Sequence, residues 1–303
     1  WYTADQTNCA ATATNVTSNT YALTPDGISL GFSMVPIIVD IPVQNYPWGV
    51  QGARGIASTK NGQILVASYN DDSIRLYTNS DAPGGSQLVS VNYIPGLQQS
   101  QLATLNGTVY ATLHPVGGPY SLVVINDDGT LGRTVASSEL ISLSIAGAPS
   151  INSLIFTGPG YALFLMSAPD GGGSYAGLPT APAINQIGSG PAGADVYFDD
   201  TRQTIYSEFL GNLNGWSLSN GVATQTTAFP MSGNPWGGAA YGIAGIGGST
   251  ALSGKLIINS MNVNGDLSVV DPSTLSRTQV AAGSSQSNQH LAPHVDGSLL
   301  VTS

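Results

Sequence analysis

Short apolar runs separated by turn-forming residues recur along the chain. In residues 52–78, apolar runs at Ile56–Ala57, Ile64–Tyr69 and Ile74–Tyr77 are separated by Lys-Asn-Gly and by Asn-Asp-Asp-Ser. Apolar runs of this length, bounded by Asn, Asp and Gly, predict antiparallel strands that are joined by tight turns. The stretch therefore predicts one repeating unit of short strands.

The same arrangement recurs five more times. A short apolar strand, a turn rich in Gly, Asn or Asp and a longer apolar strand follow each other at spacings of 42 to 52 residues, with a mean of 47. The matched positions in the first strands are Ile56, Leu102, Leu154, Val196, Ile243 and Leu291. A period of about 40 to 50 residues with several strands per repeat is typical of β-propeller blades. The sequence therefore predicts an all-β, six-bladed β-propeller.

The N-terminal part of the chain has the pattern of half a blade. Residues 20–35 repeat the pattern of residues 119–136, in which a strand led by an aromatic residue, an Asp-Gly turn and a second strand form the outer half of a blade. Tyr21–Leu23 and Ile28–Met34 would then be the third and fourth strands of a blade that lacks its first two strands.

The missing strands stand at the other end of the chain. Leu291–Ala292 and Leu299–Thr302 have the pattern of first and second strands with nothing after them. A last blade that is built from both chain ends leaves no open sheet edge. This interpretation divides the chain into an irregular segment, residues 1–19, and one propeller domain, residues 20–303.

Charged residues are few, and most of them are acidic. The 303 residues include 7 Lys and Arg against 17 Asp and Glu, which gives a formal net charge of −10. A protein that binds nucleic acid or an anionic membrane surface would carry clustered Lys and Arg. The composition therefore argues against both partners, and no run of 18 apolar residues predicts a membrane-spanning helix.

Several features favour secretion. The chain is rich in Gly, Ser, Thr and Asn, and it begins at Trp1, which a removed signal peptide would explain, as would a boundary within a longer chain. Asn15 and Asn106 stand in Asn-x-Thr triplets, which are acceptor sites for N-glycosylation. Cys9, the one cysteine of the sequence, is expected to be buried or capped, or to pair with another chain. We therefore expect an extracellular glycoprotein.

One segment carries a resemblance to known propellers. Residues 53–78, ARGIASTKNGQILVASYNDDSIRLYT, resemble the repeats of the NHL and SMP-30/gluconolactonase group of six-bladed propellers. These repeats often read Pro-x-Gly-Ile-Ala, then a small turn with Gly, then an apolar strand that ends in Asp or Tyr with Asn. Residues 53–113 also resemble the start of sugar dehydrogenases that carry pyrroloquinoline quinone.

The resemblance implies two kinds of site, and the sequence departs from both. Lactonases of the SMP-30 type hold a divalent metal with a Glu, an Asn and an Asp; Asn152 and Asp195 match the last two, but Glu139 and Glu208 stand elsewhere in their units. The segment comparable to the quinone dehydrogenases, residues 96–99, contains no His. We therefore predict no cofactor, and a divalent metal belongs only to the lactonase alternative.

Polar residues stand at the start of the predicted first strands. First strands line the central channel of a propeller, so these residues are expected to ring its mouth: Arg54, Gln101, Asn152, Asp195, Tyr241 and His290. Asp195 and His290 are the candidate catalytic pair for proton transfer. The alternative is that the polar groups of a wet channel mouth hold ordered water.

A Pro-Trp-Gly triplet occurs twice. It places Trp48 before the first unit and Trp236 before the fifth, each in a loop that leads into a first strand. An exposed indole stacks well against a sugar ring or another apolar face. Each Trp could equally cap the core between neighbouring blades.

Two functions are compatible with these patterns. The first is a secreted, non-enzymatic binding or structural module that recognises a glycan or another cell-surface or matrix component, with the two Trp residues at the rim of its site. The alternative is an SMP-30-like metal-dependent lactonase, hydrolase or lyase that works at the channel mouth. The sequence favours the binding module because it contains no nucleophile elbow, zinc-binding helix or phosphate-binding loop.

Overall fold

The structure is a computed structural model of the chain. It describes residues 21–34, 36–38, 41, 44–46, 49–51, 53–68, 71–97, 101–114, 118–142, 144–170, 183–193, 195–209, 212–230, 240–247, 252–260, 266–283, 290–294 and 296–302. Cys9 and residues 1–19 as a whole lie outside these ranges. Within the ranges, no helix has the length and apolar character needed to cross a membrane.

The chain begins with a strand and a short helix, followed by a hairpin. The strand is β1 (Tyr21–Leu23), the helix is α1 (Pro25–Ser29), and the hairpin pairs β2 (Gln44–Tyr46) with β3 (Gly49–Gln51). The Thr24 side chain caps the helix by accepting a hydrogen bond from the backbone N–H of Gly27 at 3.0 Å. The predicted strand over Ile28–Met34 is therefore wrong: its start belongs to the helix, and residues 30–34 form no strand. Thr24 followed by Pro25 is a helix-start signal, and it prevails over the Asp-Gly turn signal.

Five antiparallel sheets form five blades, in each of which four successive strands lie side by side in chain order. Four of these sheets have four strands, and the sheet of blade five has a fifth strand, β1, at its outer edge. Blade one consists of β4 (Ala53–Ser58), β5 (Ile64–Ser68), β6 (Ser73–Tyr77) and β7 (Leu88–Tyr93). Blade two consists of β8 (Leu102–Leu105), β9 (Thr108–Leu113), β10 (Ser121–Ile125) and β11 (Leu131–Ser137). Blade three consists of β12 (Ile145–Ala148), β13 (Ser153–Gly158), β14 (Ala162–Ser167) and β15 (Ile184–Gly188), with 3-10 turns at Pro149–Ile151 and Pro159–Tyr161.

Two further blades and a small sheet follow. Blade four consists of β16 (Val196–Asp199), β17 (Thr204–Phe209), β18 (Asn212–Ser219) and β19 (Val222–Pro230). Blade five consists of β20 (Ala240–Gly245), β21 (Leu256–Ser260), β22 (Asp266–Asp271) and β23 (Ser276–Gly283). The last sheet pairs β24 (Leu291–Pro293) with β25 (Leu299–Val301).

The first strands of the blades form the inner ring of the molecule. Each of β4, β8, β12, β16 and β20 contacts the first strand of the next blade, and β24 stands between β20 and β4. The sixth place in the ring therefore holds a sheet that has two strands among the described residues. The all-β propeller is confirmed, but the prediction of six blades is wrong, since the described part of the chain forms five.

The predicted closure by strands from both chain ends is not found. β1 pairs with β23, so that it extends the outer edge of blade five, with Tyr21 opposite Gly283. The Thr24 backbone N–H donates to the Val280 carbonyl at 3.0 Å, and its hydroxyl donates to the Gln279 carbonyl at 2.7 Å. These bonds hold the N-terminal segment on blade five instead of beside β25.

Blade three begins earlier than its apolar pattern suggests. Its inner strand is β12, so the matched position Leu154 lies on the second strand, opposite Gly147. β12 has small residues at its centre, and a Cβ atom on Gly147 would lie 2.1 Å from the Thr104 carbonyl oxygen of blade two. Glycine permits this close approach of two backbones. A strand of small residues does not stand out in a pattern of large apolar residues.

The apolar core lies between neighbouring blades. One buried cluster joins blades three and four around Trp216 and Leu165, and others join blades one and two, two and three, and four and five. The two-stranded sheet contributes Leu291 to a cluster with blade five and Leu300 to a cluster with blade one. Because each sheet is covered on both faces, middle strands such as β5 are buried along their whole length.

The close approach at Gly147 can be tested by substitution. We expect Gly147→Ala to lower the free energy of unfolding by about 2 kcal/mol, because the new methyl group would force β12 away from β8. Gly247→Ala is the control, since a Cβ atom on Gly247 would meet no other atom within 4 Å; its effect should stay within about 0.5 kcal/mol. Equal stability of the two variants in urea titrations would contradict the assignment of β12 as the inner strand.

Candidate functional site

The ring of blades has two ends, which differ in the loops they carry. We call the end where the inner strands begin the entry face, and the end where each inner strand turns into the second strand the turn face. On the turn face, neighbouring turns are hydrogen-bonded: Asn106 Nδ2 donates to Asn152 Oδ1 at 2.8 Å, and the Ser150 backbone N–H donates to Asp200 Oδ1 at 3.0 Å. The Arg202 guanidinium donates to the Gly254 carbonyl at 2.7 Å.

Four of the predicted mouth residues stand where inner strands begin. Gln101, Asp195 and His290 each directly precede an inner strand or its first apolar residue, and Arg54 lies in β4. Gln101, Asp195 and His290 are all at most 5% exposed. The side chain of Gln101 hydrogen-bonds to Asp195, and the charge of Arg54 acts on both Asp195 and His290. These groups form a buried polar cluster at the entry end of the channel, which we call the mouth cluster.

Asp195 connects blades four and five. Its Oδ1 accepts a hydrogen bond from its neighbour Val196 and its Oδ2 accepts one from the backbone N–H of Ile243, both at 2.8 Å. Burial raises the pKa of Asp195 to about 8, whereas the two backbone bonds, a hydrogen bond from Gln101 and the charge of Arg54 oppose the rise. Because this pKa lies above the ordinary value, the contribution of Asp195 to stability is fully present below about pH 4 and is lost as the pH rises through 8.

His290 makes the equivalent connection between the two-stranded sheet and blade one. Its Nδ1 accepts a hydrogen bond from the Ile56 backbone N–H at 3.1 Å. Its own backbone N–H donates to the Thr302 hydroxyl at 2.8 Å, and its carbonyl accepts from the Thr302 N–H at 3.1 Å. Burial, together with the charge of Arg54, lowers the pKa of His290 to about 4, so the ring is neutral at pH 7 and carries its proton on Nε2.

The two connections follow one rule. Asp195 and His290 each directly precede a matched first-strand position, and each accepts the N–H of the matched position on the next inner strand, Ile243 or Ile56. We call these two contacts the inter-blade clasps. One lone pair on each of these acceptor atoms is bonded to backbone, so both side chains hold neighbouring sheets of the ring together.

Asn152 does not join the mouth cluster. Because β12 is the inner strand of blade three, Asn152 follows it in the return turn and contacts Asn106 and Asp170 on the turn face. The adjacent Ser150 bonds to Asp200, just beyond the end of β16, whereas Asp195 precedes the start of β16. A four-residue strand separates the two ends by on the order of 10 Å, so the structure places Asn152 and Asp195 apart.

The structure describes only some of the other predicted site residues. Asn15, Trp48 and Trp236 lie outside the described residues. Tyr241 belongs to β20, but its side chain is likewise outside the described part of the chain. Asn106 is exposed in the turn after β8, with its amide bonded to Asn152. Among the described residues, no three His, Cys, Asp or Glu side chains form a group that could hold a metal ion.

The entry face carries aromatic side chains among the described residues. His114, which follows β9, stacks on Tyr120 with ring centroids 4.2 Å apart and an angle of 10° between the planes. Tyr161 packs against Phe209 with ring centroids 4.4 Å apart, and Tyr161 is 58% exposed. Tyr93, at the end of β7, is 71% exposed. Each lies beside a strand end, where a short sequence does not distinguish a surface ring from a core ring.

The clasp at His290 generates a pH prediction. Since its folded pKa of about 4 lies below the ordinary value of 6.5, its contribution to stability is present above pH 6.5 and is lost as the pH falls through 4. His290→Asn keeps an acceptor for the Ile56 N–H and removes the titration. We therefore expect the stability of this variant relative to the wild-type protein to rise between pH 6.5 and pH 4 in urea titrations.

His290→Leu is the matched variant that removes the acceptor. It leaves a buried N–H without its partner and should cost about 1–3 kcal/mol at pH 7. A stability difference between wild type and His290→Asn that does not change with pH would contradict the burial of a neutral imidazole at this position.

Comparison with known proteins identifies the fold. Neither a protein-family model nor a curated protein sequence matches the chain. A chain of the nidogen/laminin complex matches with 10% identity and a TM-score of 0.54, over 78% of this chain and 87% of that chain. The aldose sugar dehydrogenase of Streptomyces coelicolor, in its pyrroloquinoline-quinone-bound form, matches with 12% identity and a TM-score of 0.55, over 91% and 89%.

A structural genomics protein of unknown function from Bacteroides thetaiotaomicron matches with 12% identity and a TM-score of 0.58, over 82% of this chain and 66% of that chain. At these identities the likeness shows the fold alone. Membership of the NHL and SMP-30 group stays a prediction, and what the comparisons establish is that the chain is a β-propeller.

Proposed function

We propose that this β-propeller is an extracellular binding module that recognises a glycan or another cell-surface or matrix component through its entry face. The observation that carries the proposal is the set of aromatic side chains on that face. Tyr93 and Tyr161 are the described tyrosines with large exposed areas, and both lie at the entry end of their blades. Exposed aromatic rings offer flat apolar area at low entropic cost.

The aromatic groups are held in fixed positions. The stack of His114 on Tyr120 orients one ring, and Phe209 supports Tyr161 from the neighbouring blade. The loop before blade two fixes His114 further, because the Gly96 carbonyl accepts its backbone N–H at 2.7 Å. Rings that are positioned before binding suit a ligand with apolar ring faces and hydroxyl edges, such as a sugar.

The inter-blade clasps favour a binding function over catalysis by Asp195 and His290. Proton transfer requires a free lone pair or proton directed at a substrate. Nδ1 of His290 and both oxygens of Asp195 each have a lone pair directed at a backbone N–H group, and neither residue is more than 5% exposed to a substrate. The lactonase alternative also needs Asn152 beside Asp195 on a metal, and these residues lie at opposite ends of the ring.

The test is a glycan array probed with the purified protein and its aromatic variants. We expect Tyr161→Ala and Tyr120→Ala, and also Trp48→Ala or Trp236→Ala in the predicted entry loops, to weaken the signal at least tenfold without changing the melting temperature by more than a few degrees. Asp195→Asn is expected to change stability more than binding.

Val222→Ala is the matched control for this experiment. Val222 is as exposed as Tyr161, at 58%, but it lies on the turn face at the start of β19. Loss of signal in this variant, or retention of full signal in all four aromatic variants, would contradict binding at the entry face. Hydrolysis of lactones that depends on an added divalent ion and is lost in Asp195→Asn would instead support the alternative.

A further inference from the structure

A large cavity lies at the sixth place of the ring. It has a volume of about 640 Å³ and is bounded by blade five on one side, by β25 on another and by Ile56 of blade one. The two-stranded sheet has no third strand among the described residues, so this space is the place that the outer half of a complete blade would occupy. Protein interiors are otherwise close-packed, with few voids larger than a water molecule.

The walls of the cavity are apolar. Ile257, Leu267 and Val280 of blade five line it together with Leu299 and Val301 of β25, which pack on the same blade-five cluster. Phe32 and Met34 of the N-terminal segment line it from outside and pack on the blade-five cluster. The volume falls within the range of roughly 300–1,000 Å³ that is typical of small-molecule sites, and apolar walls with a few polar groups are typical of them too.

A segment of the N-terminal region covers the outer side of the cavity. We call residues 31–34 and 36–38 the strap. At one end, α1 and β1 hold the strap on blade five. At the other end, the carbonyls of Pro36 and Ile37 accept hydrogen bonds from the backbone N–H groups of Gly84 and Ser86 in blade one, at 2.6 and 3.1 Å. Because the strap crosses the outside, the space suits a small molecule better than an added β-strand.

Most polar residues of the cavity lie at its turn-face end. Asn79, Ser80, Asp81 and Ser298 are among its lining residues. His294 also lines it, but Nε2 of this ring is 2.9 Å from the Gly62 carbonyl oxygen and Nδ1 is 2.8 Å from Asp296 Oδ1, so both nitrogens are engaged.

The charges at this end disfavour an anionic ligand. Asp81 is at the rim and Asp296 is beside His294, and the chain as a whole has a net charge of −10. Hydroxyl and amide groups at this end can exchange their present contacts for an uncharged polar head: Ser80 Oγ accepts the Ala82 backbone N–H at 3.2 Å and Asn79 Nδ2 donates to Asp296 at 3.5 Å. A carboxylate would instead meet carboxylates.

We propose that this cavity is a binding site for an uncharged, mainly hydrocarbon small molecule with a hydroxyl or similar head group. Its hydrocarbon body would lie between β25, blade five and the strap, and its head would lie beside Ser80 and Ser298. The site is independent of the proposed function, because it lies beneath the strap with its polar end on the turn face. An occupant restores the dispersion contacts that an empty apolar cavity lacks.

The test uses the neutral fluorescent probe N-phenyl-1-naphthylamine with the purified chain. We expect saturable binding with one site per chain, and displacement by hexanol, octanol and decanol. Each added methylene group should tighten displacement about fourfold, the factor that corresponds to about 0.8 kcal/mol per buried CH₂. Decanoate should displace the probe at least tenfold less well than decanol.

Cavity-filling variants locate the site. Val301→Trp should weaken probe binding at least tenfold with no loss of thermal stability, since the indole occupies the space, and Ser33→Trp on the strap tests the same point if the first variant does not fold. Val222→Trp, on the exposed surface of blade four, is the matched control and should bind as the wild-type protein does. Absence of saturable binding, no dependence on chain length, or full binding by both filled variants would overturn the proposal.

Discussion

The inter-blade clasps at the start of the inner strands are the contacts on which the architecture depends. In each, a side chain that precedes one inner strand accepts the backbone N–H of the next inner strand, as Asp195 does for Ile243 and His290 for Ile56. Inner strands of different blades are too far apart in sequence to be held by turns, and a ring has to close on itself. His290 makes that closure, because it bonds to a residue 234 positions away in the sequence. It links the last sheet to the first blade, which no chain segment connects directly.

The clasps also explain how an incomplete sixth sheet is tolerated. β24 takes its place in the inner ring and buries apolar side chains toward blade five and toward blade one. The outer part of that place is covered by the strap and not by further strands. The cavity is therefore a consequence of how the ring closes.

Periodicity predicts the inner strands well because five of the six matched positions do lie on first strands. It fails at Leu154 because the inner strand of blade three contains Ala146 and Gly147 in place of large apolar residues. The missing side chain of Gly147 allows the backbone of β12 to lie close to the backbone of blade two. It fails at the N-terminus because the cap formed by Thr24 outweighs a turn signal. Both errors concern backbone geometry, to which a pattern of apolar residues is insensitive.

The sequence indicates which residues belong to the candidate site, but it does not indicate which groups they bond to. Gln101, Asp195 and His290, which precede first strands, lie at one end of the channel in the structure. Their bonds to backbone N–H groups depend on the rotation between blades, which no local sequence encodes. The aromatic pairs of the entry face join strand ends from different parts of the chain, so they too emerge only from the assembled ring.

Native-state hydrogen exchange of the Ile56 amide tests the central claim most directly. If the His290 clasp closes the ring, this amide can exchange only when the whole domain unfolds, and its exchange free energy should equal that of global unfolding measured with denaturant. The Ile243 amide should behave in the same way, and amides of the outermost strand β7 should exchange through smaller openings. Exchange of the Ile56 amide at a free energy several kcal/mol below that of global unfolding would contradict the account.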